Sequence, residues 1–299
     1  MNLVIATAQY PITFHQKLED WKTHTENWVK SAVNQGAKLL LFPEYGSMEL
    51  VSLFSDEIRN DIRQQVLEMN TLRLDFCNTF AALSTKYKVI IIAPSFPVLE
   101  RDQIYNRAFV FSANGLVGYQ DKFFMTRFES EVWGIAAAPK KLSIFETTWG
   151  SFGIQICYDV EFPIGSQHLC TEGVNLILAP SCTETLRGAT RVHVGARARA
   201  LENQCYVAVS QTINNAEWSP AVDVNFGYSA IYATPDNNLP DNGIIATETA
   251  QKQGWLIKNL NFELIENVKS DGQVFNFKDT QNIKMAYLLE NFSLKKIKI

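Results

Sequence analysis

"LLLFPEYGSME", residues 39–49, is an apolar run of strand length that Pro43 stops and a carboxylate, Glu44, follows at once. Proline has no N–H for a sheet ladder, so the strand ends there. Upstream lies a second apolar run, "LVIATAQ" (3–9), and between the two sits "LEDWKTHTENWVKSAVNQG" (18–36). Its Trp21, Trp28, Val29, Ala32 and Val33 recur at helical spacing, and Gly36 is placed to stop the helix. Strand, helix, strand opens a sheet with helices on its faces.

Downstream the alternation continues. Ile58, Ile62, Val66, Met69, Phe76, Phe80 and Leu83 along one face predict a second helix from about Asp56 to Lys86. "VIIIAPSF" (89–96) reads as a strand buried on both sides. "NRAFVFSANGLVGYQDK" (106–122) reads as a hairpin, because Asn114-Gly115 separates two strand-like halves. "LSIFETTWGSFGIQICYD" (142–159) repeats that pattern, turning at Trp149-Gly150. A helix near 165–173, the strand "VNLILAP" (174–180), a helix over 190–204 and the strand "YVAVSQ" (206–211) follow. The last third adds the strand-like runs 228–235, 243–250 and 254–261. No linker, repeat or low-complexity tract divides the chain, which predicts one compact α/β domain. The tail after about Phe262 alternates poorly and is expected as an edge strand, a docked arm or a mobile end.

Composition narrows the function classes. In 299 residues, 46% are hydrophobic, enough for a large core, while a net charge of -4 leaves no basic footprint for nucleic acid. Five cysteines (77, 157, 170, 182 and 205) show no paired spacing, which argues for a reducing compartment. The opening "MNLVIATAQYP" lacks a basic leader and reads as a first strand, and no run is long enough for a membrane span. A cytoplasmic protein without nucleic-acid or membrane partners is the expectation. His15, His24, His168 and His193 form no metal-binding spacing, so no metal or cofactor is expected.

Three strand ends carry chemistry. Glu44 follows "LLLFP", Lys122 follows "LVGYQD", and Cys157 follows "GSFGIQI". Functional groups in such sheets gather where strands finish and loops begin. A thiol attacks as thiolate, and an ammonium beside it is expected to lower its pKa. A glutamate can take that proton and return it to a leaving amine. The ammonium and the N–H of Tyr158 can hold an oxyanion. Taken singly, a turn glutamate, a surface lysine and a buried cysteine each have an ordinary structural reading.

The local wording is more specific. "FPE" (42–44), "YQDK" (119–122) and "GIQICYDVEFP" (153–163) occur in this order. Together they resemble the signature segments of the nitrilase superfamily, the carbon–nitrogen hydrolases, and the likeness runs from residue 3 to about 260. The resemblance implies an α-β-β-α sandwich over residues 1–262, with 263–299 an extension packed on the same domain or on a partner subunit. It implies Glu44 as general base, Lys122 as stabiliser of the tetrahedral intermediate and Cys157 as thioester-forming nucleophile. A homodimer or higher homo-oligomer, joined through helices beside the active site, is implied as well. Water and a small-molecule amide would be the reactants.

Family members often carry a second active-site glutamate after the lysine, and "KFFMTRFESE" (122–131) offers Glu129 and Glu131. Glu129 is preferred, because "TRFE" resembles a poorly characterised branch of the superfamily. That branch includes members fused to an N-terminal acetyltransferase-like domain, for which this chain has no room. Two positions depart from the commonest wording: Glu161 stands where arginine is frequent, and Ile164 where glutamate is frequent. Substrate class therefore does not transfer.

Tyr45, Tyr158 and Cys182 are candidate pocket or oxyanion residues beside the three strand ends. The loops 45–55, 125–140 and 183–190 are expected to line the pocket. Asn106 reads as a strand-end hydrogen bonder, and Arg197 and Arg199 as partners in structural ion pairs. Other readings are an N-acyltransferase or carbamoyl hydrolase with the same triad, a Cys157 hydrolase activated by His168 or His193, and a catalytically silent binding protein.

Overall fold

The computed structural model describes residues 1–281 and 295–296. β1 (Asn2–Pro11), α1 (Leu18–Val33) and β2 (Leu39–Leu41) form the expected opening. A 3₁₀ turn, Gly46–Leu53, follows β2. The helix expected over 56–86 is broken into α2 (Asp56–Arg59), α3 (Ile62–Glu68), a 3₁₀ turn and α4 (Arg73–Tyr87). The cause is local: the Asp61 carboxylate accepts from the N–H groups of Arg63 and Gln64 and starts a new helix.

β3 (Ile90–Ile92), β4 (Phe96–Glu100), β5 (Gln103–Ser112) and β6 (Gly115–Asp121) come next, then β7 (Ile144–Thr147) and β8 (Gly150–Ile154). α5 (Pro163–Thr171), β9 (Leu176–Ser181), α6 (Leu186–Asn203) and β10 (Tyr206–Ile213) complete the second alternation. β11 (Ala230–Tyr232), β12 (Ile244–Thr247) and β13 (Gly254–Asn261) lead to α7 (Phe262–Asp271) and α8 (Asn276–Gln281). The tail therefore opens as a helix rather than an edge strand. Asn261 caps α7, and Phe262, Ile265 and Val268, three apart, bury one face in the core. Expectations for 282–294 and 297–299 lie outside the described residues.

The main strand order is β4-β5-β3-β2-β1-β10-β9-β8-β7. β1 changes partner along its length. From Asn2 to Gln9 it pairs antiparallel with β13, whereas β10 joins it in parallel only over Gln9–Pro11. So narrow a junction lets the sheet fold over on itself into two layers. Leu3 and Ile5 then share one apolar cluster with Leu39, Leu41 and strands β8–β10. Ala6, Ala8 and Tyr10, on the opposite face, meet Trp21 and Val29 of α1 and Phe76 and Phe80 of α4. α5 and α6 contribute Leu169, Val192 and Ala196 on the other side. The result is an α-β-β-α sandwich. β9 and β10 are buried along their whole length, as strands covered on both faces must be. Trp21 stacks on Phe76 with ring centroids 5.9 Å apart, and truncating so large a buried side chain costs about 3–5 kcal/mol. No helix among the described residues is long and apolar enough to cross a membrane.

Candidate active site

Three strand ends deliver their side chains to one buried point. Glu44 stands two residues beyond Phe42, and Ser95 pins its turn. The Tyr45 N–H donates to Ser95 Oγ at 2.9 Å, and Ser47 Oγ donates to Ser95 O at 2.6 Å. Lys122 leaves β6 with its N–H donating to Asn106 O of β5 at 2.9 Å. Cys157 opens a 3₁₀ turn, Cys157–Glu161, after β8. Tyr45 and Cys157 both have positive φ, 52° and 48°. That region disfavours side-chain-bearing residues by about 1–2 kcal/mol, and strain of this kind gathers where function fixes a direction. α6 holds the cysteine turn. A Cβ on Gly195 would lie 3.0 Å from Val160 O, and Arg199 Nη1 donates to that same oxygen at 3.3 Å. Arg199 also pairs with Glu202 at 2.9 Å, as expected of it.

Lys122 Nζ lies 2.8 Å from Glu44 Oε1 and 2.6 Å from Glu129 Oε2. Asn106 Nδ2 donates to Glu44 Oε1 at 2.8 Å and to Glu129 Oε1 at 3.3 Å. The Tyr45 hydroxyl donates to Glu129 Oε1 at 2.9 Å, and Thr126 donates to Oε2 through its N–H and hydroxyl. Glu129 thus accepts from five donors and Glu44 from three, the third being Cys182 N–H to Oε2 at 3.0 Å. Cys157 Sγ donates to Cys182 O at 3.7 Å, so one peptide segment touches both the thiol and the Glu44 carboxylate. Glu44, Lys122, Glu129 and Cys157 are all at most 5% exposed.

Burial sets the charges. Glu44 is pushed up by desolvation, partly offset by Lys122 and raised further by Glu129. Glu129 is also penalised by burial, yet Lys122 and Thr126 outweigh this and hold it below the usual carboxylate range. Lys122 pays a burial penalty too, but the two carboxylates keep it firmly an ammonium. Cys157 departs from expectation: burial and then Glu44 raise its thiol well above the ordinary value, and Lys122 only partly opposes them. Burial and the Glu44 carboxylate therefore favour the thiol form over the thiolate. Cys182 is pushed up to about 12, again by burial first.

These groups form the floor of a cavity of about 460 Å³. Tyr45, Tyr158 and Cys182 line it, as does Glu129, whereas Glu131 points to solvent and pairs with Arg127 at 2.8 Å. Of the loop 45–55 only Tyr45 reaches the cavity. Residues 126–129 and 183–185 do line it, and Ala221 and Val224 join from a loop that the sequence did not single out. Trp133, packed on Tyr45 with centroids 4.7 Å apart, also lines it, as expected of the 125–140 loop. Glu161, the departure from common wording, faces Arg191 at 3.7 Å on the cavity wall. Asn106 is more than a strand-end donor, since it ties the two glutamates together. Neither histidine serves Cys157. His168 is exposed, while His193 bonds Gln211 and Tyr232 and stacks on Tyr228.

The comparisons agree with this architecture. A family model for carbon–nitrogen hydrolases matches residues 4–270, and the chain belongs to that family, within the nitrilase superfamily. It is 30% identical over 275 residues to the Bacillus subtilis "Probable hydrolase YhcX", covering 92% of this chain and 53% of that one. It is 27% identical over 199 residues to the Saccharomyces cerevisiae omega-amidase NIT3, covering 62% of this chain and 64% of that protein. The chain thus spans between half and two thirds of these relatives' length. The Helicobacter pylori carbon–nitrogen hydrolase structure superposes with a TM-score of 0.77 over 97% of each chain at 15% identity.

Proposed function

We propose that the protein hydrolyses the C–N bond of a small amide through a thioester on Cys157. The observation that carries this reading is the unequal treatment of two buried glutamates by one ammonium. Glu129 has five donors and a lowered pKa, so it is a fixed anion that positions Lys122. Glu44 has a raised pKa, and its Oε2 keeps lone-pair capacity on the side of Cys182 and the thiol. A base poised in this way fits proton transfer near neutral pH.

The Cys157 proton passes to Glu44 Oε2 as Sγ attacks the amide carbon. Lys122 and the Tyr158 N–H stabilise the resulting oxyanion. Glu44 then gives its proton to the leaving nitrogen, the C–N bond breaks, and an amine or ammonia departs from the thioester. Water enters, gives a proton to Glu44, and attacks the acyl carbon. The acid leaves and the thiolate recovers the proton. Because the resting thiol is protonated, its ionisation accompanies attack.

Amide substrates are favoured over nitriles because the omega-amidase relative is 27% identical, against 24% for a nitrilase relative. The five cysteines are free, which fits a cytoplasmic setting. Pairing of two copies through α5 and α6 would place the turn beside Cys157 next to the interface, a reading that sedimentation analysis would overturn by finding a monomer only. The functional test is a screen of primary amides, N-carbamoyl compounds, nitriles and N-acyl amines against the native enzyme and Cys157→Ala. The expected result is ammonia release from primary amides that vanishes in a folded Cys157→Ala protein. Undiminished release by that variant would overturn the proposal. Addition of amine acceptors separates hydrolysis from acyl transfer.

A further inference from the structure

Around the 3₁₀ turn Gly46–Leu53, just after Glu44, lies a second buried polar cluster, outside the cavity. Glu49 of the turn, His15 of the β1–α1 loop and His24 of α1 bring three ligand atoms within 4.8 Å of one another. His15 is 5% exposed and Glu49 1%. The Nε2 atoms of both histidines are buried, and neither has a hydrogen-bond partner among the described residues. His15 Nε2 stands 3.5 Å from Glu49 Oε2 without making a hydrogen bond. Leaving two buried ring nitrogens unpartnered costs free energy that an occupant of the site would recover.

The surroundings hold the three groups in place. Tyr10 OH donates to Glu49 Oε1 at 2.7 Å, which leaves Oε2 beside the imidazoles with the Thr13 N–H donating to it at 3.4 Å. His15 N–H donates to Ser52 Oγ at 3.0 Å, and Ser52 Oγ donates to Glu49 O at 2.6 Å, tying the loop to the turn. The two imidazole rings are 5.1 Å apart between centroids. His24 is only half-buried and marks a path from solvent.

We propose that His15, His24 and Glu49 form a binding site for a divalent transition metal, with Zn²⁺ the expected ion. Two neutral imidazoles and one carboxylate are a zinc donor set, whereas calcium and magnesium call for oxygen ligands. Tetrahedral ligation with bonds of about 2.0–2.1 Å requires donors about 3.3 Å apart, so the ligand atoms close by up to about 1.5 Å through side-chain rotation. Tyr10 then serves as the outer hydrogen bond that orients the carboxylate. The ion joins the β1–α1 loop, α1 and the turn that begins beside Glu44, and its role is structural. The site stands independently of the chemistry assigned to Cys157.

The test uses untagged, chelator-stripped protein carrying Cys157→Ala, which removes that thiol and leaves the other four cysteines as a background common to every variant. Zinc is titrated, and bound metal is measured by mass spectrometry alongside Tm. The expected result is one zinc per chain with a raised Tm. His24→Gln and His15→Gln each weaken binding by more than about 100-fold, beyond the loss typical of an outer partner. The metal-free Tm of each variant, His24→Gln losing ring contacts with Tyr10, His15 and Trp28, is read beside its zinc uptake, so lost binding in a folded protein is separable from misfolding. Absence of saturable zinc uptake, or uptake unchanged in both variants, would overturn the proposal.

Discussion

Glu44 and Glu49 stand five residues apart, one just before the 3₁₀ turn Gly46–Leu53 and the other within it, each 1% exposed, in opposite company. Glu44 meets an ammonium, an amide and a backbone N–H, all committed donors, beside a thiol. Glu49 meets a phenol, a long contact from the Thr13 N–H and two imidazoles whose Nε2 atoms have no hydrogen-bond partner among the described residues. Equal burial thus produces different chemistry. Where fixed donors crowd the carboxylate, its remaining lone pair is aimed and its proton affinity tuned. Where lone pairs converge with few donors, the cluster suits a cation instead.

The largest expected effect breaks this pair apart directly. Glu44→Gln should lower kcat by about 10³-fold, within the range for losing a general base, whereas Glu49→Gln should leave kcat within about threefold. Steady-state kinetics on the best amide would check both. Equal losses would show that the turn, rather than the base, is what matters. Next comes Lys122→Met, which leaves two buried carboxylates with no counter-ion and should cost about 3–5 kcal/mol of stability as well as activity. Adding Glu129→Gln should restore part of that stability in denaturant titration and none of the activity.

The smallest effect concerns pH. Asp159, buried behind Lys122 and accepting from the N–H of Phe124 at 2.8 Å, is pushed up to about 8 by burial. Its folded value lies above the unfolded one near 3.9, so its stabilising contribution is complete below about pH 4 and lost as pH rises through about 8. His193 runs the other way. Burial pushes it down to about 4, so its contribution is present above about pH 6.5 and lost as pH falls toward 4. Asp159→Asn should flatten the decline of Tm between pH 4 and 8 while leaving the acid-side loss in place. An unchanged decline would place its source elsewhere.

Much of the frame was legible because it is written locally. Pro43 stops β2, Asn114-Gly115 turns the hairpin, and three short motifs mark the strand ends that meet. Glu129 was separable from Glu131 only by likeness in wording, since two adjacent loop carboxylates carry no periodic signal. What stayed hidden depends on distance along the chain. His15, His24 and Glu49 come from three elements, so no spacing announces them. Lys122 does lower the Cys157 thiol as expected, but burial and Glu44 outweigh it, and the depth of burial is a fact of packing that no local wording carries. The helix expected over 56–86 failed at Asp61, whose carboxylate caps a new start instead of continuing the old one.

Covalent trapping on Cys157 tests the central claim most directly. A slow amide substrate should leave its acyl mass on the peptide holding Cys157, and a hydroxylamine quench should release it. The Cys182 peptide should stay unmodified, because its thiol is turned to Asn225 Oδ1 at 3.5 Å. Turnover with no acyl adduct on Cys157, or with the adduct on Cys182, would contradict the account.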